Sequence, residues 1–242
     1  MGTLLESIFR QAGKTYGKAR WIFKSLTGTE EESLEAEYML GKILSLEMDN
    51  LLTIDRENSA VQLVEQTGER LYRRLANKKR KFSFSVFDSE EINAFALPGG
   101  FIFLTNSLVR LFGSAPGEIA FVLGHEIGHV VKGHALDRIV AEKMIGIISN
   151  LSPGRGVLNS AVKNILTKFL YSAYTQDQEL EADAFGIKII DAAGFPPEAA
   201  VSAIRKLSEI HSQQEGFPLE KYFASHPKIE IRLQRLNRYL TA

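Results

Sequence analysis

From Gly117 to Lys132 the apolar residues Ile119, Ala120, Phe121, Val122, Leu123, Val130 and Val131 form a stripe at helical spacing, which predicts a largely buried helix. A different period governs Phe82-Ser83-Phe84-Ser85-Val86-Phe87, where apolar and small polar residues alternate as in a strand with one face buried. Asn93 to Leu104 predicts two more short strands around a turn at Pro98-Gly99-Gly100. The remaining chain has a helical period. Thr29-x-x-Glu32 has the form of a capping box and opens a helix towards Met48. Further helices are expected from about Ser59 to Lys78, from Leu136 to Ser149, through Leu180 to Ile190, over Glu198 to Gln213 and after Pro227. Breaks fall at Ser152-Pro153-Gly154-Arg155-Gly156, which is read as a plain loop in preference to a lid hinge, and at Gly194-Phe195-Pro196-Pro197. The expected fold class is therefore α+β, mostly helical, with a small three-stranded sheet beside the helix at 117–132.

The first 26 residues stand apart. Leu4, Leu5, Ile8, Phe9, Ala12, Tyr16, Ala19, Ile22, Phe23 and Leu26 recur at helical spacing, with Arg10, Lys14, Lys18, Arg20 and Lys24 among them. This is the pattern of a basic amphipathic helix, weakened by Gly13 and Gly17. Docking on the chain's own domain is favoured, and contact with a membrane surface through residues 1–26 is the alternative. Two units are thus expected: residues 1–28 as this helix, and 29–242 as one domain.

Composition narrows the function. A chain of 242 residues with 45% hydrophobic content can bury roughly 70–75% of its unfolded surface, enough for a core without cross-links. Zero cysteines exclude a disulfide, a thiolate metal site and a thiol nucleophile. With 29 basic and 29 acidic residues there is no electrostatic case for nucleic acid. No apolar run approaches the ~18–20 residues of a membrane span, and the start lacks a signal-peptide pattern, so a soluble chain is expected.

Inside the buried helix stands His125-Glu126-Ile127-Gly128-His129. Residues four apart share a helix face with Cβ atoms about 5–6 Å apart, so two imidazoles can converge on one metal. Glu126 lies about 100° further round the helix, clear of ligation yet near a metal-bound water, where a general base is needed. Two histidines and a glutamate in an apolar helix each cost several kcal/mol without partners, and a cation satisfies all three at once.

A catalytic zinc needs a third protein ligand and an open fourth position. Glu179 and Asp183 are a second pair at that spacing, set among Leu180, Ala182, Phe185, Ile187, Ile189 and Ile190. Glu179 is the expected third ligand, and Asp183 the acceptor for a ligating imidazole's N–H. Glu181 competes for the ligand role but is expected to face water. If the helix runs on past His129, His134 lies about 140° round it and reads as a surface histidine.

Four stretches together carry a resemblance. They are His125-Glu126-x-x-His129 with Val130-Val131-x-x-His134-Ala135; Glu179-x-x-x-Asp183; Asn93-Ala94-Phe95-Ala96-Leu97-Pro98-Gly99-Gly100; and His226-Pro227 with Arg232. In this order, over roughly Phe82 to Leu236, the chain resembles the gluzincin-like zinc metallopeptidases that include the HtpX heat-shock proteases, the CAAX prenyl proteases and the periplasmic protease BepA. It departs where Thr175-Gln176 stands in place of the common Ser-Arg.

The resemblance implies a zincin-like metalloendopeptidase domain with one Zn2+ on His125, His129 and Glu179 and with Glu126 as base. It implies unfolded or misassembled proteins as substrates and a role in protein quality control. His226 and Arg232 are expected to serve the oxyanion or to hold the groups that do, with Tyr174 or Tyr222 as weaker alternatives. The edge formed by Asn93, Ala94, Phe95 and Ala96 is expected to pair with an extended peptide. A periplasmic or membrane-associated location follows from the family, a cytoplasmic one being the alternative, and the chain is expected to be either a reduced soluble form or one whose targeting segment has been removed. A zinc-stabilised, chaperone-like binding module with little turnover is the competing function.

Overall fold

The computed structural model describes residues 28–55, 58–113, 115–141, 164–170, 172–213, 226 and 229–241. The N-terminal segment, the break at 152–156 and Tyr222 lie outside the described residues. Helix α1 (Glu30–Leu51) starts where the sequence places it: Thr29 Oγ1 accepts the Glu32 N–H at 3.3 Å and Glu32 Oε2 accepts the Thr29 N–H at 3.2 Å. It is followed by β1 (Ile54–Asp55), α2 (Ser59–Tyr72), β2 (Ser83–Phe87), β3 (Ala94–Leu97), a 3-10 turn at Pro98–Gly100, and β4 (Phe101–Thr105). Next come α3 (Asn106–Phe112), α4 (Pro116–Val131), α5 (His134–Ala141), α6 (Gln176–Ala192), α7 (Glu198–Gln213) and α8 (Ile229–Thr241), and residues 164–170 are also helical.

Two boundaries differ from expectation for local reasons. Helix α2 stops at Tyr72 because Lys78 folds back and donates to the carbonyls of Tyr72 and Arg73, at 3.1 and 2.8 Å, satisfying its open end. The sheet has four strands, ordered β1-β2-β4-β3, because the two-residue β1 pairs with Phe87 and Val86. So short a strand leaves no alternation to read.

Strands β2 and β4 run parallel, while the β3–β4 hairpin is antiparallel and leaves β3 at the edge. Alternation along β3 sends Ala94 and Ala96 into one apolar cluster and Phe95 and Leu97 into another, on opposite faces of the sheet. The alanines face the layer that contains α4, and their small size lets that helix lie close over the strand. The opposite face is covered by Leu40, Leu44 and Met48 of α1, Ala135 and Ile139 of α5, and Ile165, Leu166 and Phe169. All four residues of β3 are buried, so the edge is covered.

Candidate active site

Helix α4 is buried without interruption from Gly117 to Val130, as expected of a helix that is apolar nearly all round. Its most extensive neighbour is α6, and glycine makes their approach possible. A Cβ on Gly128 would lie 3.1 Å from the Cα of Ala182, and one on Gly124 would lie 3.0 Å from Ile189 Cγ2. Gly128 sits between the two histidines, so the residue that admits α6 belongs to the motif itself. Thr175 caps α6 and forms a capping box with Gln178, which sets Glu179 at the end of the first turn. The departure from Ser-Arg therefore keeps the cap.

The two helices and His226 bring four donors together. His125 Nε2 lies 3.0 Å from His129 Nε2 and 3.3 Å from His226 Nδ1. Glu179 Oε1 lies 3.2 Å from His129 Nε2 and 2.9 Å from His226 Nδ1, and Glu179 Oε2 is 3.7 Å from His125 Nε2. Donors at tetrahedral corners ~2.0–2.1 Å from a cation stand about 3.3–3.4 Å from one another. The separations above fall on either side of that spacing, all four residues are buried, and the donor set of three imidazoles and a carboxylate suits a divalent ion of borderline softness. The residues present fit a zinc ion.

A second ring of contacts orients the donors. Asp183 Oδ1 lies 2.8 Å from His125 Nδ1, and Arg232 holds both oxygens of Asp183, at 2.7 and 2.8 Å. The same guanidinium pairs with Glu179 Oε2 at 2.8 Å. Burial alone would raise the Asp183 carboxyl, but the Arg232 charge and the His125 contact together outweigh it and hold the group below the usual carboxylate range. For Glu179 too, burial opposes ionisation and is overcome, here by His226 and Arg232, so the group sits well below its ordinary value. His129 is driven the other way: burial, reinforced by neighbouring His125 and His226, lowers its pKa well below 6.5 and keeps it neutral, the form that can bind a cation.

Glu126 is fully buried, and neither of its carboxylate oxygens accepts a hydrogen bond among the described residues. His226 Nε2 stands 3.5 Å from its Oε1. A carboxylate in that position is costly, and its reactive pair of oxygens faces the donor cluster without being tied into it.

His134 corrects the sequence reading. It is buried, and its Nδ1 lies 3.1 Å from His129 Nδ1. The extrapolation failed because the helix does not run on: α4 ends at Val131, Gly133 turns the chain at φ 80°, and α5 starts at His134. Gly133 is the signal that would have found this, since glycine just past a helix end favours such a turn. Glu181 is exposed, as expected, and its Oε2 lies 3.6 Å from His134 Nε2.

Tyr174 stacks flat on His129, with ring centroids 3.6 Å apart and planes 12° from parallel. Burial pushes its hydroxyl pKa up, and that hydroxyl has no partner among the described residues. Arg138 keeps Tyr174 there. Its guanidinium lies between the rings of Phe169 and Tyr174 and donates to Ser172 Oγ and to the carbonyls of Phe169 and Ser172. No pattern in the sequence pointed to Arg138.

The structure thus brings His125, His129, Glu179 and His226 to one point, with Glu126, Asp183 and Arg232 around them. His226 lies within the donor set, and Arg232 touches the carboxylates that surround it. Asn93 to Ala96 lie on the sheet's edge strand and its lead-in, under α4 but buried.

The family model described as Peptidase family M48 matches residues 58–240. The chain is 28% identical over 219 residues to the β-barrel assembly-enhancing protease of Yersinia pestis, covering 83% of this chain and 43% of that protein. It is 32% identical over 151 residues to the mitochondrial metalloendopeptidase OMA1 of Arabidopsis thaliana, covering 62% of this chain and 30% of that one. It is 26% identical over 171 residues to the metalloprotease LoiP of Escherichia coli, covering 66% and 63%. The chain spans less than half the length of the first two. No helix among the described residues is long and apolar enough to cross a membrane. With the match running through both motif helices and on to Arg232, the chain belongs to peptidase family M48, the metallopeptidase class that its four motifs resemble.

Proposed function

We propose that this chain is a zinc-dependent endopeptidase acting on unfolded or misassembled proteins. The observation that carries the reading is the buried Glu126 carboxylate, which accepts no hydrogen bond among the described residues, beside four converging donors. His125, His129 and Glu179 would hold the zinc. When bound, zinc supplies Lewis acidity, bringing the pKa of water towards about 7 and polarising the scissile carbonyl. Glu126 takes a proton from the attacking water on a carboxylate oxygen, the water oxygen bonds to the carbonyl carbon, and the C–N bond breaks as Glu126 returns the proton to the leaving nitrogen. His226 Nδ1 lies beside His125 and Glu179, in space that a water or substrate carbonyl would need, so turnover would require this ring to move. Once it has moved, its imidazole and the Tyr174 hydroxyl are the donors placed to steady the oxyanion. Arg232 holds Asp183 and Glu179 in place.

The edge from Asn93 to Ala96 is the proposed pairing site for an extended substrate, and its burial means that the cover must yield first. A quality-control role draws on relatives whose names are β-barrel assembly-enhancing protease and mitochondrial metalloendopeptidase. A periplasmic or membrane-associated setting is part of the same proposal, as is docking of residues 1–26 on the domain or a membrane surface.

The test is Glu126→Gln assayed on an unfolded protein substrate. Cleavage is expected to fall by about 10²–10⁴-fold, with zinc content unchanged. Full retention of the chain's effect on unfolded protein in this variant would favour the binding module instead.

A further inference from the structure

A ligating imidazole is normally oriented by whatever accepts the proton on its other nitrogen. His125 has Asp183 for this, at 2.8 Å. Among the described residues His129 has no carboxylate at Nδ1, and the atom in that place is His134 Nδ1 at 3.1 Å. We propose that His134 is a positioning residue that selects the metal-binding orientation of His129 by accepting its Nδ1–H. The inference rests on the reading that His129 binds zinc through Nε2.

The protonation states follow from that distance. Two bare ring nitrogens at 3.1 Å would set lone pair against lone pair, so one of them carries a proton. With the His129 Nε2 lone pair directed into the donor cluster, its proton sits on Nδ1. His134 then presents a bare Nδ1 and carries its own proton on Nε2, which faces the exposed Glu181 carboxylate at 3.6 Å.

Stacking cannot do this job. Tyr174 lies flat against the His129 ring and fixes its plane, but a half-turn about the Cβ–Cγ bond leaves that plane unchanged. The half-turn exchanges Nε2 with Cε1 and would place a carbon in the donor cluster. Among the described residues, the hydrogen bond to His134 is the contact of this ring away from the cluster that distinguishes the two states. The two histidine ligands are therefore held differently: His125 by a charged carboxylate shared with Arg232, His129 by a neutral imidazole.

The experiment measures zinc affinity of the full chain by competition with a chelating indicator, together with the melting temperature of the metal-free protein. For His134→Ala, affinity should fall about 10–100-fold with the metal-free melting temperature unchanged. His134→Phe keeps a ring of similar bulk without an acceptor and should show the same loss, so the test survives if the alanine variant does not fold. His134→Gln, whose amide oxygen can accept, should recover most of the affinity. Unchanged affinity in the alanine and phenylalanine variants, or a glutamine variant as weak as phenylalanine, would overturn the proposal. If wild type binds no zinc, or Glu179→Ala binds it as tightly as wild type, the ligand assignment itself fails, which is a distinct result.

Discussion

Arg232 shows how one side chain can hold two carboxylates of a site at once. Buried to 1% exposure, it pairs with Asp183 through two nitrogens and with Glu179 through a third. Removing it leaves two buried carboxylates facing each other across the site. In metal-free protein Arg232→Met should cost about 3–5 kcal/mol, a fall of roughly 6–20 °C in melting temperature for a chain of this size. A melting curve superimposable on wild type would show that the pairings contribute nothing net. At this scale the sequence was legible where a residue's place follows from spacing along one helix. His125, His129, Glu179 and Asp183 are of that kind. Arg138, His134 and the exact post of His226 depend on chain reversals between elements, which residue spacing does not encode.

Between elements, the decisive contact is α4 against α6. Donors on two helices meet only if the axes come close, and Gly124, Gly128 and Gly186 remove the side chains that would keep them apart. An alanine at an ordinary helical glycine stabilises by about 0.8–1 kcal/mol, but a branched side chain at Gly128 would press on the Ala182 backbone. Gly128→Val should accordingly weaken zinc binding at least about tenfold, a loss read in the same competition assay and out of proportion to any change in helix content by circular dichroism. Undiminished affinity would mean that α6 has room to shift while keeping Glu179 in place. Most helices were visible from periodicity and caps, as Thr29 with Glu32 illustrates. Their ends were less so for α2, which Lys78 closes early through an interaction local in space that a periodic pattern passes over, whereas the break between α4 and α5 falls within two residues of its expected place.

For the whole molecule, the sheet is a partition. One face supports α4 through Ala94 and Ala96; the other is packed against α1 and α5. This layering buries the donor cluster completely, and His226 reaches into it from just ahead of α8. A buried cluster of three imidazoles and one carboxylate is a donor set that a divalent ion would stabilise, so under the proposed function metal binding would add to the stability of the fold. The general architecture was legible because the apolar periods of two and of 3.6 separate cleanly along the chain. The fourth strand was not, having only two residues.

The most direct test of the account is zinc content per chain after gel filtration for wild type, Glu179→Ala and Glu181→Ala. The geometry predicts about one zinc in wild type and in Glu181→Ala, with a marked deficit in Glu179→Ala alone. Equal occupancy in all three proteins, or a deficit in both variants, would contradict a metal centre built from α4 and the buried face of α6.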